Sequence, residues 1–184
     1  MCGAMAEPPL RTALPRVLLA AAVVAVADLA DAIIVWVGVF QHSTVERILQ
    51  SIAGGLLGPA AFQGGMATAL LGLGLHFLVA FGWSLVFFVL FQRWSRLRAW
   101  MTSRRGTVLV GLAYGAAVWL LMDGVVLPLS RARVTPLTAP WFWIQLATHP
   151  FVVGLPIALV VGGVGRSAAR LSPVPVGRPS PRES

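Results

Sequence analysis

Five ionisable side chains lie inside otherwise apolar stretches of the chain, and they are the residues best suited to chemistry. Each of the four long apolar stretches contains at least one of them. The set consists of Asp28, Asp31, His76, Asp123 and His149. A charged aspartate at the centre of a membrane helix costs about 2.5 to 3.5 kcal/mol. Carboxyl and imidazole groups lower that cost by taking up protons, by pairing with each other or by binding a cation, so the set predicts a proton- or cation-binding site.

The spacing of these residues indicates that they share one layer of the membrane. Asp28 and Asp31 are three residues apart and therefore lie on one face of a helix. Counted at about 1.5 Å per residue, all five side chains fall between the middle of their spans and the same membrane face, with Asp123 the farthest, about 7.5 Å from the middle. We therefore predict a polar layer in the outer half of the bundle, in which Asp123 and His149 face each other.

Two prolines are predicted to shape this site. Pro150 follows His149 directly, and Pro156 comes six residues later. Proline lacks a backbone N–H, so it frees the carbonyl of the residue four positions earlier and kinks the helix. The freed carbonyls could line a ligand site, although a kink that serves packing alone explains the same residues.

The sequence leaves the occupant of the site open. Candidate metal ligands are His76, His149, Asp123 and Asp31. A b-type haem or quinone site is an alternative, because His76 and His149 lie at similar depth on two spans of the same direction. Gly72 and Gly74 would help to clear room for a flat ring. A purely structural explanation is that these side chains only join helices through hydrogen bonds.

The composition predicts an all-α integral membrane protein with four transmembrane helices in one bundle. The chain has 184 residues, a mean hydropathy of +0.84 and only 11% charged residues. The predicted spans are residues 17–40, 66–91, 107–129 and 141–165. A cleaved signal peptide ending near Ala27 is the alternative for the first span, but the apolar run continues to Phe40 and favours a retained helix.

Shorter segments complete the predicted organisation. Residues 43–57 are predicted to form an amphipathic helix on the membrane surface, started by a capping box of Ser43 and Glu46. Residues 1–16 and 166–184 are predicted to be flexible cytoplasmic tails, because they are rich in small, proline and arginine residues.

All 14 basic residues are arginines, and they give the chain a formal net charge of +8. Eleven of them lie in the two tails and the loop between the second and third spans. The positive-inside rule therefore predicts that both termini lie in the cytoplasm. Since these arginines flank apolar spans, they indicate membrane topology and argue against nucleic-acid binding.

Small residues predict close packing of the last two spans. Gly111 and Gly115 are four residues apart in the third span, and Gly154 and Ala158 have the same spacing in the fourth. Small residues at this spacing allow the backbones of two membrane helices to approach each other closely.

The second half of the chain resembles a known family. The run from Asp123 to Leu129, the pair Pro140-Trp141 and then His149 resemble the YagU-like family of small bacterial inner-membrane proteins, over about residues 65–160. That family has a histidine where this chain has Asp123. The resemblance implies a multi-pass protein of the bacterial inner membrane and no particular mechanism.

These observations favour a protein that is not an enzyme and that binds or transports a proton or cation. No HExxH or GxSxG motif is present in the sequence. An accessory or assembly subunit of a membrane complex is a further hypothesis, in which the polar residues pair with the helices of a partner. The lipid bilayer is the predicted surrounding, and a homo-oligomer is compatible with it.

Overall fold

The computed structural model describes the backbone of residues 10–170 and the side chains of residues 14–162. Every regular element in this part of the chain is helical. The α-helices are α1 (Leu10–Ile33), α2 (Val45–Leu57), α3 (Gly65–Arg93), α4 (Ser95–Trp100), α5 (Arg104–Leu121), α6 (Leu127–Leu129), α7 (Pro140–His149) and α8 (Leu155–Arg170). A 3₁₀ turn, Gly58–Gln63, joins α2 to α3.

Four helical stretches are long and apolar enough to cross a membrane. They are span 1 (Leu14–Val39), span 2 (Gly65–Arg93), span 3 (Arg104–Leu129) and span 4 (Pro140–Gly162). Helix α1 begins at Leu10, inside the segment that the sequence assigned to a flexible tail, and α8 continues to Arg170. The remainder of both predicted tails lies outside the described residues.

Three of the four spans change to π-helix along their length. The π segments are Ile34–Val39 in span 1, Met122–Val126 in span 3 and Pro150–Gly154 in span 4. Single π-helical turns inside α-helices often occur at functional sites. Two of the three adjoin predicted site residues, since Asp123 lies within the second and His149 directly precedes the third.

The spans pack in the order 3, 4, 1, 2, so span 4 separates span 3 from span 1. Helix α1 packs against α3 on one side and against α8 on the other, and α5 packs against α8 and the π segment that precedes it. Tyr114 joins spans 2 and 3: its hydroxyl donates to the Trp83 carbonyl over 2.7 Å, and its ring packs against Phe87.

The predicted close packing of spans 3 and 4 is confirmed, and it brings span 3 onto the π segment of span 4. A Cβ on Gly115 would lie 2.5 Å from the His149 carbonyl oxygen. A Cβ on Gly154 would overlap the backbone of Gly111 and Gly115. Because glycine has no Cβ, both backbones reach van der Waals contact here, and the following turn of α5 is held against His149.

Helix α2 packs against the first turns of α3. A Cβ on Gly72 of α3 would overlap the carbonyl of Leu49 in α2, so Gly72 serves this helix contact and not a flat cofactor ring. The Arg131 amide at the end of span 3 donates to the Gly55 carbonyl over 3.0 Å and ties α2 to a third element. Ile48 and Ala53 are buried on the packed face.

The start of α2 differs from the predicted capping box. Thr44 is the N-cap, and its hydroxyl oxygen accepts from the Arg47 amide over 3.2 Å. Glu46 instead accepts from the Gln50 side chain. The prediction was wrong by one residue because serine and threonine are adjacent here and both are good N-caps.

Replacing Thr44 by alanine is therefore expected to cost α2 about 1 kcal/mol, because one helix-terminal N–H loses its acceptor. Amide hydrogen exchange at Arg47 should become about fivefold faster, the ratio to which this free energy corresponds. Ser43→Ala is the matched control and should leave the rate unchanged. Equal acceleration in both variants would assign the cap to neither residue.

Candidate functional site

The two aspartates of α1 meet the last turn of α7. Asp28 Oδ1 lies 3.5 Å from His149 Nε2. Asp31 Oδ2 accepts a hydrogen bond of 3.0 Å from the Thr148 hydroxyl. Because Asp28 and Asp31 are one turn apart on α1 and their partners are adjacent in α7, the four side chains form one cluster between spans 1 and 4, which we call the acid pair site.

The imidazole of His149 is oriented by its own helix. His149 Nδ1 lies 3.0 Å from the Gln145 carbonyl oxygen. A carbonyl oxygen can only accept, so Nδ1 carries a proton. Nε2 therefore either presents a second N–H to the Asp28 carboxylate or presents its lone pair to a protonated Asp28. In both arrangements one proton lies between the two side chains.

The Thr148 hydroxyl links Asp31 to Gln145. Its oxygen is 3.0 Å from Asp31 Oδ2 and 3.1 Å from Gln145 Oε1. One hydroxyl hydrogen cannot serve both acceptors, and the orientation of a glutamine amide follows from the surrounding hydrogen bonds. If Asp31 is ionised, Thr148 donates to Asp31 and the Gln145 amide turns to donate to Thr148. If Asp31 is protonated, the donors run from Asp31 through Thr148 to Gln145. Uptake of a proton at Asp31 thus requires only the Thr148 hydroxyl hydrogen and the Gln145 amide to reorient.

Aromatic side chains enclose the acid pair site. The Trp119 indole lies against the His149 ring, with 4.6 Å between centroids, and against Phe142 at 5.9 Å. Trp36 and Trp141 make contact at the ends of spans 1 and 4, with 5.3 Å between centroids. The His149 side chain is only 9% exposed, whereas that of Asp28 is 25% exposed. Asp28 is therefore the more accessible partner of the pair.

His76 lies on the opposite side of α1. Its Nε2 is 2.9 Å from the Ala25 carbonyl oxygen, one turn before Asp28. Because the acceptor is a carbonyl, this nitrogen donates, and the bond joins spans 1 and 2. The Nε2 atom of His76 thus contacts the Ala25 carbonyl, whereas that of His149 contacts the Asp28 carboxyl. This arrangement does not favour a haem iron bound between the two imidazoles.

Asp123 lies apart from the acid pair site. Its side chain is 5% exposed, and within the described residues its Oδ1 has no hydrogen-bond partner. The Nε1 of Trp119, one turn earlier, is also buried and unpartnered in that part of the chain. His149 pairs with Asp28 and not, as predicted, with Asp123. The reason is the packing order, since spans 1 and 3 both pack against span 4 and not against each other.

The prolines bracket the π segment of span 4. Pro150 begins it, and Pro156 is the second residue of α8. The wider π turn accommodates the missing N–H of Pro150 directly after His149. Within the described residues, no group of three or more His, Cys, Asp or Glu side chains is placed to hold a metal ion.

Three participating residues were not predicted: Gln145, Thr148 and Trp119. The signal for the first two was present, because Gln145, Thr148 and His149 are polar residues at positions i, i+3 and i+4 and therefore form one polar helix face within an apolar span. The role of Trp119 depends on the packing of spans 3 and 4, so sequence spacing alone does not identify it.

Comparison with known proteins adds no relative: no family model matches the chain, and neither the curated proteins nor the solved structures contain a significant match.

Proposed function

We propose that this protein is a multi-pass membrane protein that binds protons at the acid pair site and conducts them across the membrane. The observation that carries the proposal is the contact of two membrane-embedded carboxyl groups with the adjacent residues Thr148 and His149. Paired acids at mid-membrane are expensive and typically mark ion or proton pathways.

The chemistry of the site favours a proton over a metal ion. Divalent metal sites use three or more converging protein ligands of suitable type, and within the described residues no such group of His, Cys, Asp or Glu side chains occurs. His149 Nδ1 is committed to its own helix, and Thr148 already contacts Asp31. The Asp28–His149 contact and the Asp31–Thr148 hydrogen bond can each adapt to one proton more or less, whereas a cation would have to displace them.

Two features support proton movement through the site. Asp28 and Asp31 are one helical turn apart, so a proton on either carboxyl lowers their mutual repulsion and favours exchange between them. Asp28 is also the more exposed member of its pair, which gives it access to a proton donor. His149 would then receive and return the proton opposite Asp28.

The arginine distribution supports an orientation with both termini and the α3–α5 connection in the cytoplasm. That orientation places α2 and the acid pair site toward the outer side of a bacterial inner membrane. In this arrangement the four spans form one bundle with α2 at its outer surface. The resemblance to the YagU-like family suggests the same location.

Replacing His149 by alanine is the test of this function. In proteoliposomes with an imposed pH gradient, proton flux through the H149A variant is expected to fall at least about a hundredfold, the lower end of the usual contribution of a proton-transfer group. The matched control is His42→Ala, because His42 is exposed and lies outside the spans. Undiminished flux in H149A, or no flux through the parent protein, would refute proton conduction.

A further inference from the structure

The face of the molecule opposite α2 carries an arginine cluster that has no acidic partner among the described residues. The exposed side chains of this basic collar come from the end of α3, from α4 and from the start of α5. They are Arg93, Arg96, Arg104 and Arg105. The four acidic residues that the structure describes lie at mid-span or toward α2, and no ion pair of a collar arginine occurs within the described residues.

Two exposed tryptophans accompany the collar. Trp94 is 59% exposed and Trp100 is 65% exposed, one at each end of α4. Tryptophan rings at the ends of membrane helices lie at the level of the lipid headgroups, where the ring is partly in hydrocarbon and the N–H is hydrated. The collar arginines are therefore at headgroup depth.

The backbone under the collar is held by internal hydrogen bonds. The Arg98 guanidinium donates to the carbonyls of Phe91 and Gln92 at the end of α3. The Thr107 hydroxyl lies 3.1 Å from the Met101 carbonyl, and Ser103 caps α5 by accepting from the Gly106 amide. Arg98 is thus used in the fold, whereas the collar side chains extend from a fixed support. A preorganised support reduces the entropy lost when a ligand binds.

We propose that the basic collar binds the phosphate headgroup of an anionic phospholipid in the membrane leaflet that surrounds it. Guanidinium groups form bidentate hydrogen bonds with phosphate oxygens, and the two tryptophans would pack along the glycerol and upper acyl region. The headgroup supplies the negative charge that the described residues of this face lack. The occupant is a lipid and not a soluble phosphate, because the collar is bordered by membrane-embedded apolar surface and by two interfacial rings.

The test compares the full-length protein in neutral detergent with added phosphatidylglycerol or phosphatidylcholine, and native mass spectrometry measures the lipid retained. We expect the parent protein to retain phosphatidylglycerol at least about tenfold more strongly, since each arginine near an anionic headgroup contributes several-fold. The R93Q/R96Q/R104Q/R105Q variant should lose this preference. The R104Q/R105Q variant should lose part of it, and it provides the test if the fourfold variant fails to fold.

The matched control is R47Q/R133Q, which removes two arginines from the α2 side and should keep the preference. Equal retention of both lipids by the parent would overturn the proposal. An equal loss of the preference for phosphatidylglycerol in the control and in R104Q/R105Q would also overturn it. Complete displacement of the lipid by soluble glycerol phosphate would also overturn it and would assign the collar to a free phosphate.

Discussion

Proteoliposomes that contain the D28N/D31N double variant are expected to show no proton flux above that of protein-free vesicles. Asparagine keeps the shape of the side chain but does not carry an exchangeable acidic proton at neutral pH. Without both carboxyls, His149 faces no acid and Thr148 has no carboxylate acceptor. The expected decrease in flux is at least about a hundredfold, within the range lost when proton-transfer groups are removed.

The single variants separate the two carboxyls. Asp28→Asn removes the partner of His149 and should have the larger effect, whereas Asp31→Asn removes only the acceptor of Thr148. The matched control is Glu46→Gln, because Glu46 is an exposed acid of α2 outside the spans. If the double variant conducts protons as well as E46Q does, the acid pair is not on the conduction path.

The second large effect is expected from a single methyl group, in the variant Gly154→Ala. The added Cβ would overlap the backbone of Gly111 and Gly115, which cannot rotate away as a side chain can. Spans 3 and 4 must therefore separate, and we expect a loss of about 2 to 3 kcal/mol in unfolding free energy. Denaturant unfolding in detergent measures this loss.

Gly124→Ala is the matched control, because Gly124 lies in the π segment of span 3 and a Cβ there meets no atom within 4 Å. Its unfolding free energy should stay within about 0.5 kcal/mol of the parent value. The G154A variant should also lose proton flux, since Trp119 would no longer press against His149. Equal stability of the two variants would contradict the close packing of spans 3 and 4.

Hydrophobicity and helical spacing predicted the coarse architecture. A chain that crosses lipid must satisfy its backbone hydrogen bonds internally, and few architectures do so. The four apolar helices and the amphipathic pattern of α2 both follow from local sequence. The glycine contacts of spans 3 and 4 were also predictable, since Gly111 and Gly115 are spaced by one turn.

The pairing within the site was not predictable from depth alone. Depth along each span brought Asp28, Asp31 and His149 to similar levels, but it also suggested Asp123 as the partner of His149. Which aspartate meets the histidine depends on the order of spans around the bundle, and that order is a tertiary property. The π segments were missed for a related reason, since a π turn is stabilised by its packing and not by a sequence period.

Proton conduction through the acid pair site requires that a carboxyl of Asp28 or Asp31 takes up and releases a proton. Infrared difference spectra of the membrane-reconstituted protein, recorded as the pH is lowered stepwise, measure this directly through the carbonyl stretch of protonated carboxyl groups. We predict a band that grows with falling pH in the parent protein and is smaller in the D28N/D31N variant by the contribution of the two removed carboxyls, because the remaining carboxyl groups still contribute. A titrating band of equal size in both proteins, or none in the parent, would contradict the assignment.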